Sequence, residues 1–179
     1  MENINNQRLF LNGSLDVYCD DKRDKANKEI SRLTSDSIKG IDEHEMADKL
    51  YCDYKVEAPI ITLESSNCHH EKHSDNIVVY HIPFTGNGEL FSLKPLKWTT
   101  AEPYGNVMSN EIIIEYPLRD DAECINKEFE NNYKSIIKWL GFISTDCTKF
   151  NPSLKEDIEV YVRAKYKKLN GNDENFRNL

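Results

Sequence analysis

The sequence predicts an α+β fold: N-terminal helices, a small antiparallel β-meander of three to five strands, and a C-terminal antiparallel helical hairpin. Three observations predict it. Apolar residues recur at spacings of three and four up to residue 54, alternate at period two between 57 and 117, and return to the three-four spacing after 121. A single domain over residues 1–179 follows, with 14–54 helical, 57–117 mainly antiparallel sheet, 121–169 the hairpin, and 170–179 a flexible tail.

The first helix is expected over residues 14–33, where Leu15, Tyr18, Lys22, Ala26, Ile30 and Leu33 share a side between charged positions. Asp42, with Glu45 three residues later, has the logic of a capping box for a second helix. Met46, Leu50 and Tyr54 are its buried stripe. Pro59 then biases Ala58 toward extended geometry, and Ile60, Ile61 and Leu63 suit a short strand. The polar run SSNCHHEKHSDN reads as an exposed loop.

Beyond that loop, Ile77, Val79 and His81 point one way and Val78, Tyr80 and Ile82 the other, the pattern of a central strand covered on both faces. Thr85-Gly86-Asn87-Gly88 is a turn leading into a second extended run with Phe91, Leu93 and Pro95. It precedes no helix opening with Lys and Ser/Thr, so it does not fit a phosphate-binding loop. Tyr104-Gly105-Asn106 and Ser109-Asn110 are further turns. In EIIIEYP only Ile112, Ile114 and Tyr116 form an apolar face, which suits a half-exposed strand nearer an edge.

The C-terminal third carries the clearest period. Phe129, Tyr133, Ile136, Leu140, Ile143, Cys147 and Phe150 form an a/d seam on a helix over residues 121–150. Asn151 suits an N-cap and Pro152 a first helical position, so a second helix is expected at once, with Leu154, Ile158, Tyr161, Lys165 and Leu169 in register. The chain would then fold back as a hairpin, with Ile136, Leu140 and Ile143 facing Leu154, Ile158 and Tyr161, and the helix ending at Gly171.

Composition narrows the function classes. Hydrophobic residues make up 39% and charged residues 30%, the balance of a globular chain. There are 31 acidic and 23 basic side chains, giving a net charge of -8, so nucleic-acid phosphates would meet repulsion over most of the surface. No apolar run is long enough to span a bilayer, and the N-terminus lacks the pattern of a secretion signal. Cys19, Cys52, Cys68, Cys124 and Cys147 are an odd, scattered set without a C-x-x-C pair, which implies a reduced, cytoplasmic protein.

Cys68, His69, His70 and His73 are the densest metal-capable group. Neighbouring side chains on an extended segment diverge, however, and no second ligand pair follows, so no metal site and no cofactor are expected. His81 reads as a core histidine satisfied by a backbone carbonyl. Asp120 with Asp121, and Glu156 with Asp157, suit helix starts, where carboxylates complement the dipole. Trp98, within a strand, and Trp139, beside the seam, read as packing residues. The interaction surface suggested by the pattern is the seam itself: Phe129, Tyr133, Ile136, Leu140, Ile143, Leu154, Ile158 and Tyr161.

Taken together, YKVEAPIITLE, HIPFTGNGELFSLKPLKWTTAEPYGNVMSNEIIIEY and IIKWLGFISTDCTKFNPSL resemble the amino-terminal region of a group of uncharacterised bacterial proteins, over roughly residues 45–169. Longer members of that group carry a C-terminal restriction-endonuclease-like nuclease domain with an acidic residue and a Glu-x-Lys type motif. No equivalent motif stands here, so no catalytic residue carries over. The resemblance implies an N-terminal part or a short relative of a nuclease-linked protein.

The function expected is therefore a non-catalytic recognition or assembly module, with a protein partner or self-association, rather than an enzyme. Two alternatives stand beside it. One is a metal-assisted hydrolase using the segment from Cys68 to His73. The other is an acidic inhibitor or immunity-type binding protein, suggested by the charge and size.

Overall fold

The computed structural model describes the backbone of residues 6–74, 76–118 and 122–177, and the side chains of 6–72, 76–118 and 122–171. Its elements are β1 (Gly13–Ser14), α1 (Leu15–Arg32), α2 (Glu43–Tyr54), β2 (His69–Ser74), β3 (Ile77–Pro83), β4 (Leu93–Lys94), β5 (Asn106–Met108), β6 (Glu111–Pro117) and α3 (Ala122–Arg177). The fold is mixed α+β. The described chain divides into two compact units, one holding residues 6–16 with Glu57–Asp146, the other Val17–Val56 with residues 147–177.

In the first unit, four strands form an antiparallel sheet in the order β2-β3-β6-β5. β3 is central, as its two-faced apolar pattern predicts. β6 has the expected alternation, with Ile112, Ile114 and Tyr116 buried, but it is an inner strand. The short β5 covers only part of its outer flank, and the residues between those three, on the opposite face, are half-exposed. Tyr80 and Tyr116 meet edge-on at 5.7 Å, and Phe129 of α3 stacks on Tyr80 at 4.0 Å, so the first stretch of α3 covers this face.

Several local expectations are corrected. The polar run read as a loop contains a short 3-10 turn, Ser65–Asn67, and then β2. A strand at the sheet's edge needs a backbone ladder on only one side and tolerates charged side chains, which is why apolar alternation did not reveal it. Ile60, Ile61 and Leu63 form no strand; Ile60 makes an isolated bridge with Thr85 and is exposed. After the glycine turn, Asn87 caps a 3-10 helix, Gly88–Ser92, by accepting from the Glu89 amide, so Phe91 is helical rather than extended.

The N-terminal segment is part of this unit. The Leu9 amide donates to the Pro103 carbonyl at 2.9 Å, and the Gly105 amide to Gln7 at 2.9 Å. Gly105 has φ 158°, and a Cβ there would stand 2.6 Å from Ile112 Cγ2, so this crossing requires glycine.

The second unit is a helical core. Ala26 and Ile30 of α1, Met46, Ala47 and Leu50 of α2, and Leu154, Ile158, Val162 and Tyr166 of α3 bury one another with Ile38. The Asp42 carboxylate accepts from the amides of His44 and Glu45, at 2.8 and 2.9 Å, as the capping pattern predicts.

The expected hairpin is absent at Asn151-Pro152, where α3 continues unbroken with Pro152 inside it. Asn151 caps nothing. Its side-chain amide instead accepts from the Val56 amide and donates to the Val56 carbonyl, both at 2.9 Å. Proline removes one N–H from the ladder, but the stripe Phe150, Leu154, Ile158, Val162, Tyr166 keeps its step of four across it, and packing holds the helix together. Val162 takes the core place expected of Tyr161, which is exposed and lines a surface groove with Ile30 and Ala164. Asp157 is mid-helix rather than at a helix start, and its carboxylate meets Arg23 Nε at 3.1 Å. Residues 170–177, expected as a flexible tail, continue α3 past Gly171. Asp120, Asp121 and residues 178–179 lie outside the described residues.

Candidate functional site

Strand geometry disperses the Cys-His group. Successive side chains on β2 point to opposite faces, so His69 and Glu71 share one face while His70 and Lys72 share the other. His70 stacks on Tyr80, its register partner, at 5.2 Å. Cys68 is buried, its thiol donating to the Glu64 carbonyl at 3.5 Å, and burial pushes that thiol up from its ordinary value. The His73 side chain is outside the described ones. Of the three described candidates, only His69 is placed beside further chemistry.

That chemistry comes from other strands. His69 pairs with His81 across the β2-β3 ladder, their rings 5.7 Å apart. Glu71 follows on the same face: its Oε1 lies 3.9 Å from His81 Nε2 and its Oε2 4.0 Å from His69 Nε2. From β6, Glu111 Oε2 stands 3.1 Å from His81 Nδ1. His81 is therefore held by carboxylates rather than by a backbone carbonyl. An ionised carboxylate only accepts, so Nδ1 carries a proton, and in the neutral ring Nε2 presents its lone pair. Nε2 is buried and makes no hydrogen bond. Sequence reading missed this group because Glu71, His81 and Glu111 are joined only by strand register.

A second feature is the segment over residues 94–102. Trp98 is half-exposed on irregular backbone, not packed within a strand, and Leu96 beside it is 66% exposed. Lys94 Nζ stands 3.8 Å from the centre of the Trp98 ring. The backbone is pinned on both sides of these residues. The Leu96 amide donates to the buried Asp146 carboxylate at 2.8 Å. The Ala101 carbonyl accepts from Trp139 Nε1 at 2.8 Å and from the Ser135 hydroxyl at 2.9 Å. Trp139 itself is fully buried and stacks on Phe10, as its packing role predicts.

Seven of the eight residues of the predicted interaction seam point inward, and Tyr161 is exposed. Phe129, Tyr133, Ile136, Leu140 and Ile143 are buried in the first unit, and Leu154 and Ile158 in the second. No helix among the described residues is long and apolar enough to cross a membrane. Comparison of the chain with protein-family models, with curated proteins and with solved structures found no match.

Proposed function

We propose that this chain is a non-catalytic recognition and assembly module, and that it associates with a second copy of itself through residues 94–98. The observation that carries the reading is the exposure of Leu96 and Trp98 on a backbone fixed by buried side chains of α3. An apolar side chain and an aromatic one held in place lose little freedom on binding, which is what makes tryptophan an effective anchor. Lys94 and Lys97 flank them on a chain whose net charge is -8, so the acidic surface of a second copy complements the patch. Resemblance to the amino-terminal region of nuclease-linked proteins agrees with this reading, because the chemistry implied there lies in a separate domain.

Light scattering over a hundredfold range of concentration tests it. The mass should rise toward that of a dimer, and Leu96→Asp should hold the chain monomeric with an unchanged circular dichroism spectrum. A monomer at every concentration, or a dimer indifferent to Leu96→Asp, contradicts the assignment.

A further inference from the structure

We propose that the outer face of the sheet binds one divalent transition-metal ion of the zinc class through His69, Glu71 and His81, with Glu111 orienting His81. The site is independent of the association surface.

Ligand chemistry comes first. Two imidazoles and a carboxylate form a borderline-soft set that suits zinc and its neighbours better than magnesium or calcium. Their placement is built by register: the His69–His81 pair spans two strands, and Glu71, two residues on, lies on the same face. Its two oxygens stand 3.9 and 4.0 Å from the Nε2 atoms of the two histidines. Ligands bound at about 2.0–2.2 Å in a tetrahedron are roughly 3.4 Å apart, so each Glu71–histidine pair has to close by about half an ångström, and the His69 ring has to swing toward His81. Among the described residues no three such groups already stand around a common point. The two that must turn are the ones with room to do so, the side chains of His69 and Glu71 being 72% and 53% exposed.

His81 supplies the fixed ligand. Its side chain is only 21% exposed, and its Nε2 is buried without a hydrogen bond. Glu111 at Nδ1 does what a carboxylate does behind a metal-bound histidine, setting the tautomer and the ring orientation. Glu115, paired with Val79 on this same face, adds a third carboxylate that favours a cation nearby.

The test uses the full chain without a histidine tag, stripped with chelator and titrated with zinc chloride in a calorimeter, then with cobalt chloride to read coordination from the absorption spectrum. One equivalent should bind, and cobalt should give the intense visible bands of a low-coordinate ion. His81→Ala and Glu71→Gln should abolish saturable binding, and Glu111→Gln should weaken it about tenfold or more. His70→Ala, on the opposite face, should bind as the parent does. The exposed position of Glu71 makes Glu71→Gln informative even if His81→Ala fails to fold. No saturable binding by the parent chain, or equal loss in His70→Ala and Glu71→Gln, overturns the site.

Discussion

The two units fasten irregular backbone to the same helix by the same device, yet they are built on different principles. In the first, the side chain of Asn132 accepts from the Tyr104 amide at 3.0 Å and donates to the Tyr104 carbonyl at 2.8 Å. In the second, Asn151 does the same for Val56. Asn132 is buried, and it works with Asp146, Trp139 and Tyr133, each of which holds a distant backbone group. Asn151 is half-buried beside a core made almost wholly of apolar side chains at helical spacing. The first unit adds to its apolar core a set of polar bonds between residues far apart in sequence. The second rests on three amphipathic stripes, and this contrast decides which substitutions should matter.

Core truncation should have the largest effects, in different places. Trp139→Ala removes the largest fully buried side chain and leaves the Ala101 carbonyl without its indole partner, and should cost about 3–5 kcal/mol. Amide exchange should then rise most in β3 and β6. Ile158→Ala should cost about 2–5 kcal/mol, with the rise centred on α2. Denaturant melts and hydrogen exchange check both; equal loss of protection in both units for either variant would break the comparison.

Pro152 is next. A proline inside a helix forfeits a ladder bond, so Pro152→Ala should raise stability by about 1–3 kcal/mol. Loss of stability in a thermal melt would mean that the proline sits in a turn.

The two asparagines give a matched pair. Asn132→Ala removes a buried side chain that satisfies the Tyr104 amide and carbonyl and should cost about 1–3 kcal/mol. Val56 is itself buried, so Asn151→Ala strands its amide and carbonyl and should cost a comparable amount, about 1–3 kcal/mol. Urea titrations would compare the two, and a negligible loss for Asn132→Ala would deny the weight given to the polar bonds of the first unit.

The smallest effect is a slope with pH. Tyr54 donates its hydroxyl to Glu29 at 2.5 Å, and that bond to a carboxylate, followed by burial, pushes its ionisation up to about 12. A folded value above the ordinary one of about 10 means that the folded state keeps the proton longer, so stability is present below pH 10 and is lost as pH rises toward 12. Burial drives Tyr80, Tyr116, Tyr133 and Tyr166 in the same direction. Tyr54→Phe should therefore flatten part of the alkaline decline, seen in melts at pH 9 and 11. An unaltered decline would remove the Tyr54–Glu29 bond from the list of contributors.

Much of the second unit was legible because its stripes are local. Asp42, Met46 and Leu50 predict α2, and Ala26 and Ile30 the buried side of α1. The hairpin was misread because Asn151-Pro152 has the composition of a helix start, while the cue against it lay in the unbroken step from Phe150 to Leu154 and on to Val162. In the first unit, β3 was legible from its own pattern. The polar β2 was not, because its partner supplies the ladder. The candidate site was half visible: His69 and His81 were noticed separately, but only register puts Glu71 between them and Glu111 behind His81.

That α3 runs unbroken through Pro152 is tested most directly by the carbon-13 chemical shifts of the α-carbons over residues 147–156. A continuous helix gives helical shifts at Phe150 and Asn151, immediately before the proline, where extended geometry is otherwise favoured. Coil or extended shifts at those two residues, flanked by helical ones, would contradict it and restore the hairpin.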